Sequence, residues 1–424
     1  MDSTHSKDWQ MAFSALIQFI NVSSIAPTRA IGKLLLALAM LFTLGSCQSN
    51  ILTRVKESSA TVVSGIKNLP ANVFPSEFES RAYIDGDFSI PNASVEADGE
   101  YAVITTFFAT NRSSDTAATA AHMFRDGRAS NPSFGKSYVT LRRSGDTFDI
   151  EPDSLIKVDI VNPPTADATL SYNEVFTRKR LGSEVDSELN RSGTDSLLIY
   201  VHGFNMSFEN AAIASAQLSY DIGFKGTTVF YSWPARGGAS AYIADAESAA
   251  ASQRQFEAMA SELLYQTRAT KVYLVAHSLG ARLASRALKS VFQAEPGFRT
   301  KVKEIVLIAP DIETDEFISE LAPFLGTVER PVTVYVSQSD PAIVISNTLN
   351  NTPIIGESMF VTRRVETIDA PAIDTSLRGH SSYSAADSIL GDIWSLIEYN
   401  LRANSRNLLR AKYTQQGTYW EVIK

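Results

Sequence analysis

The stretch from Lys271 to Lys289 constrains the fold of this chain more than any other. It opens with the apolar run Val272-Tyr-Leu-Val275, whose residue types are typical of a buried strand. Leu279, Leu283, Ala284, Ala287 and Leu288 then recur at helical spacing. Between these two parts, Ser278 stands among the small residues Ala276 and Gly280, in the arrangement of a nucleophile elbow. The usual pattern is Gly-x-Ser-x-Gly, so Ala276 is a departure, and an ordinary strand-to-helix turn with an idle serine is the alternative.

Strands and helices alternate on both sides of this stretch. Strand-like runs occur at residues 195–201, 227–232, 303–309, 331–336 and 364–368, the last of which is predicted to be the final strand. Helical patterns occur at residues 208–218, 242–266 and 384–401. Such alternation predicts a mostly parallel sheet flanked by helices, and together with the elbow it predicts the α/β-hydrolase fold.

Four regions are predicted along the chain: a signal peptide over 1–46, a tether of low order over 48–100, a β-rich segment over 101–190, and a catalytic core over 191–424. Within the β-rich segment, the runs 101–108, 137–142 and 155–160 read as strands. The stretches 123–128 and 131–135 contain glycine or proline and are predicted to be loops. This segment is expected to pack against the core sheet or to continue it.

The oxyanion hole is predicted from the His202-Gly203 pair, which follows the strand 195–201. α/β-hydrolases place one oxyanion donor directly after such a strand, and the second donor is the N–H that follows the nucleophile. We therefore expect the backbone N–H groups of Phe204 and Leu279 to be the donors, with Asn205 as the alternative to Phe204. His202 itself is predicted to be structural.

The catalytic triad is expected in the chain order serine, acid, histidine. Of five histidines, only His380 lies downstream of Ser278 and beyond the strand 364–368. His277, beside the nucleophile, is predicted to be a structural residue of the elbow. Asp340 follows the strand before the last and is the expected acid, with Asp311 as the alternative.

Other polar and aromatic residues are candidates for lining the site. Trp233 and Tyr242 are expected either to form a substrate wall or to pack in the interior, and Asn205 is a further candidate for binding substrate. Arg112 is expected either to bind an anion or to fix loops through bonds to the backbone. Residues 341–363 are predicted to cover the site.

Several of these blocks together resemble a bacterial family of α/β-hydrolases of unknown function, of the esterase/lipase superfamily type. The blocks are Ala109-Thr-Asn-Arg112, Val201-His-Gly-Phe-Asn205, Phe230-Tyr-Ser-Trp-Pro234, Ala276-His-Ser-Leu-Gly280 and Ala309-Pro-Asp311. The resemblance spans about residues 100–400 and implies the hydrolase fold and the pair of Ser278 and His380. It implies no particular substrate.

Composition excludes some classes of function. The formal net charge is −8 and the pI about 5.3, which argues against a nucleic-acid-binding surface. No cluster of metal ligands and no phosphate-binding glycine motif is apparent, so no cofactor is expected. The oligomeric state is left open.

The N-terminal region predicts export and lipid anchoring. Arg29 and Lys33 precede the apolar run 34–44, which is too short for a comfortable transmembrane helix. Leu44-Gly-Ser-Cys47 then resembles a bacterial lipobox, which implies a lipid-modified Cys47 at the mature N-terminus. Gln48 after the cysteine favours the periplasmic face of the outer membrane. An interrupted membrane anchor, or an idle thiol after an ordinary signal peptide, are the alternatives.

The leading functional hypothesis is a serine hydrolase that cleaves small-molecule or lipid esters through an acyl-enzyme. One alternative is an envelope-anchored binding or scaffold protein that keeps the fold without turnover. Another is an acyltransferase or amidase that uses the same triad.

Overall fold

The computed structural model describes residues 93–95, 101–115, 117–142, 168–237, 241–336, 352–356, 359–370 and 383–423. The strand 155–160, the acid Asp340, His380, Cys47 and the predicted signal peptide lie outside these ranges. The predictions about them therefore remain predictions.

One sheet of 12 strands runs through the described part of the chain. In chain order the strands are β1 (Ala93–Val95), β2 (Tyr101–Ser114), β3 (Phe124–Arg142), β4 (Ala168–Phe176), β5 (Ser196–Val201), β6 (Thr227–Ser232), β7 (Lys271–His277), β8 (Val302–Ile308), β9 (Val332–Val336), β10 (Val365–Asp369), β11 (Leu409–Thr414) and β12 (Gly417–Val422). Their spatial order is β11-β12-β10-β9-β8-β7-β5-β6-β2-β3-β4, with β1 paired to β2. All neighbours from β12 to β2 are parallel, which confirms the predicted mostly parallel sheet.

Helices cover both faces of the sheet. They are α1 (Arg178–Arg191), α2 (Phe208–Asp221), α3 (Tyr242–Gln266), α4 (Ser278–Ala294), the short α5 (Thr314–Glu316) and α6 (Ala322–Leu325), and α7 (Tyr383–Glu398). Leu197, Ile199 and Val201 of β5 pack on the face covered by α1, α3 and α4. Leu198 and Tyr200 pack on the opposite face, with α2 and α7. Successive strand residues point to opposite faces, so a sheet covered on both sides requires the continuous apolar runs that the sequence contains.

The segment before the core extends the same sheet. β2 lies parallel to β6, and β3 and β4 continue antiparallel beyond it. The prediction of loops at 123–128 and 131–135 is wrong, because β3 runs through both stretches. Gly135 is required there by packing, since a Cβ atom would lie 2.1 Å from the Glu174 carbonyl oxygen. Glycine in a strand marks a close backbone approach as readily as a turn.

Two further strands follow the predicted last strand, so that prediction is also wrong. β11 and β12 form an antiparallel hairpin, and β12 adds to the sheet parallel to β10. Most residues of this hairpin are only partly buried. Its apolar run is therefore weaker than those of the central strands, which explains why the sequence pattern did not reveal it.

The described part of the predicted covering loop docks beside the carboxyl end of β8. The Ile355 N–H donates to the Ile312 carbonyl oxygen at 2.9 Å, and the Thr314 N–H donates to the Pro353 carbonyl oxygen at 2.9 Å. Ile354 is fully buried against Ala309. Among the helices described, none combines the length and the apolar character needed to cross a membrane.

Candidate active site

Ser278 stands at the junction of β7 and α4. Its φ is +50°, in the left-handed region that non-glycine residues rarely adopt. Gly280 follows where a Cβ atom would lie 2.1 Å from the His202 carbonyl oxygen. The backbone after β5 therefore approaches the first turn of α4 so closely that a side chain is excluded. This geometry is that of a strained strand-to-helix turn with a serine at its apex.

The turn after β5 lies directly against the elbow. A Cβ atom on Gly203 would lie 3.0 Å from Ser278 Cβ and 2.5 Å from His277 Nδ1. Ser278 is buried, and its carbonyl oxygen accepts a hydrogen bond from the Asp311 N–H at 3.3 Å. The carboxyl ends of β5, β7 and β8 therefore meet at the serine, as expected for a ligand site in an open α/β sheet.

The histidine of this turn is a framework residue. His202 is fully buried, with Nδ1 2.8 Å from the Gly203 carbonyl oxygen and Nε2 3.1 Å from the Trp233 carbonyl oxygen. In either tautomer one ring nitrogen donates to a backbone carbonyl. Burial lowers the pKa of His202 to about 3, so the ring is neutral at physiological pH.

Trp233 packs in the interior, which is the second of the two roles that the sequence left open. It is fully buried and stacks on the His202 ring with centroids 4.9 Å apart. Its indole N–H donates to the His202 carbonyl oxygen at 2.8 Å. Trp233 therefore supports the turn after β5 from behind, and the substrate-wall interpretation is corrected.

Tyr242 is also buried, with 2% of its surface exposed. Its hydroxyl donates to Asp311 Oδ2, and its ring contacts Phe204 edge-on at 5.6 Å. Tyr242 therefore packs in the interior beside the site, which is the second of the two roles that the sequence left open. Asn205 is only partly buried and adopts a left-handed φ of +57°.

The two predicted oxyanion donors lie on the two segments that meet at Ser278. Leu279 is at the start of α4, where N–H groups have no partner within the helix. The Phe204 N–H has no acceptor among the described residues. Burial raises the pKa of the Asp245 carboxyl, and the Asn205 N–H, the alternative donor, is directed at this carboxyl and opposes the rise.

Of the predicted triad, the structure describes Ser278 and the alternative acid Asp311. Asp311 is 1% exposed and pairs with Arg282 of α4 through Oδ1, while Oδ2 accepts from Tyr242. Oδ1 thus ties the segment after β8 to the elbow helix α4, and Oδ2 ties it to α3. The choice between Asp340 and Asp311 stays a prediction, as does the role of His380.

His277, next to the nucleophile in sequence, is buried against Gly203. Its Nδ1 has no hydrogen-bond partner among the described residues, and burial lowers the pKa of the ring to about 4. A ring that stays neutral in a dry setting fits a structural role. A cluster of three or more histidine, cysteine or acidic side chains able to hold a metal does not occur in the described part of the chain.

Arg112 fixes the loops around the site. It is fully buried and donates to the Met206 and Ala235 carbonyl oxygens and to Ser232 Oγ. Desolvation lowers the pKa of this guanidinium to about 10, which still leaves it charged at neutral pH. These contacts fit the second role considered from the sequence, in which Arg112 fixes loops through bonds to the backbone.

Sequence reasoning missed Asp245 as a residue of the site. Its carboxylate accepts from the Arg236 N–H at 2.8 Å, and the side chain is fully buried. An acidic residue in the first turn of a helix is ordinarily explained by the helix dipole, so the sequence offered no signal for this contact.

Comparison with known proteins supports the same fold. Residues 178–385 match the model of a family described as alpha/beta hydrolase of unknown function (DUF900). Among solved structures, the chain is similar to a protein provisionally assigned as a cell surface hydrolase from Lactobacillus plantarum WCFS1, with 12% identity, a TM-score of 0.28, and coverage of 49% of this chain and 94% of that chain. It is also similar to an inhibited esterase B from Lactobacillus rhamnosis, with 12% identity, a TM-score of 0.26, and coverage of 48% and 78%. Curated proteins returned no match.

TM-scores at this level carry no argument, so the assignment rests on the family match and on the sheet order around the elbow. The match covers the segment from α1 to the start of α7. Residues 178–385 therefore have the α/β-hydrolase fold and match the model of this α/β-hydrolase family of unknown function.

Proposed function

We propose that this protein is a serine hydrolase that cleaves carboxylic esters. The observation that carries the proposal is Ser278 itself. A serine held at a φ of +50° between a buried strand and a helix is the arrangement that positions a hydroxyl to attack a substrate carbonyl in this fold. Such a conformation costs free energy and persists only where the surrounding structure imposes it.

In the proposed mechanism, Ser278 Oγ attacks the ester carbonyl and His380 takes the hydroxyl proton. Asp340 orients His380 and stabilises its charged form. The N–H groups of Leu279 and Phe204 stabilise the negative charge that develops on the carbonyl oxygen. The alcohol leaves with the proton from His380, and water then releases the acid from the acyl-enzyme.

The test is labelling by a fluorophosphonate probe, which reacts with activated serines. We expect the parent protein to be labelled and Ser278→Ala to lose labelling and at least about a thousandfold in ester hydrolysis. Ser285→Ala is the matched control, because Ser285 is a buried serine on the same helix. Equal labelling of the parent and Ser278→Ala would refute the proposal.

We further propose that Cys47 carries a lipid that anchors the hydrolase in the cell envelope, at the periplasmic face of the outer membrane. The support is the sequence alone: the basic flank, the short apolar run and Leu44-Gly-Ser-Cys47. Metabolic labelling with a palmitate analogue tests it. Incorporation that persists in Cys47→Ser would contradict the assignment.

A further inference from the structure

The first turn of α3 carries two buried polar side chains whose contacts lie on either side of Ser278. Tyr242 is 2% exposed and Asp245 is 0% exposed. Residues three apart in a helix lie on the same face, so both side chains are presented toward the same surroundings. Both reach segments that follow strands at the carboxyl edge of the sheet.

Asp245 joins the segments that follow β5 and β6. It accepts from the Arg236 N–H at 2.8 Å, in the loop after β6. Burial raises the pKa of the Asp245 carboxyl, and the nearby backbone N–H groups of Asn205 and Gly237 oppose this rise. Asn205 Oδ1 lies 2.9 Å from the position that a Cβ on Gly237 would occupy, so the two loops are in direct contact.

This arrangement determines which N–H group is left for a ligand. Because the Asn205 N–H is directed at Asp245, the preceding N–H, that of Phe204, remains without an acceptor in the described part of the chain. The left-handed φ of Asn205 turns the chain sharply at this point. Asp245 thus fixes the orientation of the peptide next to the Phe204 donor.

Tyr242 acts on the elbow side. Its hydroxyl donates to Asp311, whose other carboxylate oxygen accepts from Arg282 of α4. The Asp311 N–H in turn donates to the Ser278 carbonyl oxygen at 3.3 Å. The Tyr242 ring also touches Phe204, so this single residue contacts both the elbow framework and the turn after β5.

We propose that Tyr242 and Asp245 are positioning residues of the oxyanion hole, a role that rests on the proposed hydrolase function. Asp245 fixes the position of the Phe204 N–H. Tyr242 fixes the position of the Leu279 N–H through Asp311, which bonds to Ser278 in the elbow. Neither side chain touches the reacting atoms. Their effect is on the distance and direction of the two N–H groups, which act on the transition state rather than on the bound substrate.

The test compares para-nitrophenyl acetate with para-nitrophenyl thionoacetate, in which sulfur replaces the carbonyl oxygen. Sulfur is larger and a weaker hydrogen-bond acceptor, so a well-formed hole prefers the oxygen ester. We expect Asp245→Asn to lower kcat for the oxygen ester roughly a hundredfold and Tyr242→Phe roughly tenfold, by analogy with loss or misplacement of one donor. The thionoester should lose less, so the oxygen-to-sulfur rate ratio should fall at least about fivefold, while KM changes less than about twofold.

Two exposed residues of the same helix provide matched controls. Glu247→Gln and Tyr265→Phe make the same chemical changes at solvent-exposed positions and should keep the parent ratio. Tyr242→Phe keeps the ring that packs on Phe204, so it remains informative if Asp245→Asn fails to fold.

The outcomes separate this inference from the function on which it rests. Probe labelling of Ser278 in the parent is measured first. A parent that neither reacts with the probe nor hydrolyses the ester overturns the proposed function, and this inference falls with it. A parent that is active, with an unchanged oxygen-to-sulfur ratio in Tyr242→Phe and in any folded Asp245→Asn, overturns the inference alone.

Discussion

Arg112 and Asp245, buried at the carboxyl ends of the central strands, are held differently from the buried glutamates at the amino ends. At the carboxyl ends, Arg112 bonds to two backbone carbonyl oxygens as well as to Ser232 and Asp126, and Asp245 bonds to a backbone N–H. Toward the amino ends of β8 and β10, Glu304 and Glu366 bond to arginine side chains that follow α7. Arg402 contacts both glutamates, and Arg406 contacts Glu366 and Asp392.

The difference concerns what each edge must hold in place. Bonds from a side chain to the backbone fix the position of individual N–H and C=O groups, which a catalytic edge requires to within a fraction of an ångström. Ion pairs between side chains join whole elements: here they connect β8, β10 and α7 with the chain that leads into the C-terminal hairpin. We therefore expect substitutions at the amino-edge network to act on stability, and those at the carboxyl edge to act on activity as well.

The largest effect on stability is expected for Arg406→Leu. Arg406 is 3% exposed and pairs with Asp392 at 2.9 Å and Glu366 at 3.1 Å. Removing it leaves the buried Asp392 without its cation and Glu366 with Arg402 alone, which costs about 3–5 kcal/mol. Denaturant unfolding measures the loss, with Lys271→Ala, in an exposed pair with Asp195, as a control expected to lose less than about 1 kcal/mol. Similar losses for both variants would remove the distinction between this network and surface pairs.

The second effect is a pH dependence at Glu304. Burial raises the pKa of its carboxyl to about 7; Arg402 and Arg330 oppose this shift and Glu366 adds to it. A carboxyl whose pKa is raised on folding contributes stability that is present below its ordinary pKa of 4.5 and is lost as pH rises through about 7. Glu304→Gln cannot titrate, so its stability does not depend on this proton. Between pH 5 and pH 8 the free energy of unfolding of the parent should therefore fall relative to that of Glu304→Gln, by at most about 3 kcal/mol.

Denaturant unfolding curves of the parent and of Glu304→Gln, measured at pH 5, 6.5 and 8, test this prediction. A difference that stays constant over this range would show that Glu304 does not gain a proton on folding. Thr333, which donates to Glu304 Oε1 at 3.3 Å, stays unchanged in this design, so the titrating group is the only charge removed.

Sequence reasoning succeeded where a local pattern is imposed by the fold. The bounds of α3 and β6 match the predicted 242–266 and 227–232, since both elements have strong periodicity or a continuous buried run. The strand-to-helix turn at Ser278 was predicted for the same reason, because such a strained turn requires small residues at fixed offsets. The glycine-containing β3 and the half-exposed hairpin of β11 and β12 were missed because their signals resemble those of turns and loops.

The remaining failures concern contacts between residues far apart in the chain. Tyr242 meets Asp311, and Trp233 stacks on His202, only after the sheet has assembled. No spacing in the sequence distinguishes a tyrosine that lines a pocket from one that bonds to a buried carboxylate. Asp245 was missed for a related reason, since its hydrogen-bond partner Arg236 lies nine residues earlier in the chain, outside α3.

The smallest stability effect, and the sharpest test of the comparison, is expected for Arg112→Lys. An ammonium keeps the positive charge but cannot reach the Met206 and Ala235 carbonyl oxygens and Ser232 Oγ together, because it lacks the planar fork of guanidinium. We expect a loss of about 1–2 kcal/mol in unfolding free energy, comparable to one or two hydrogen bonds to a charged group. Ester hydrolysis should fall at least about tenfold, because the segments after β5 and β6 lose their common anchor.

Arg128→Lys, an exposed position paired with Arg112 across β2 and β3, is the control and should change neither quantity. If Arg112→Lys lost stability but kept the parent rate, the carboxyl edge would resemble the amino edge, and the division between the two would fail.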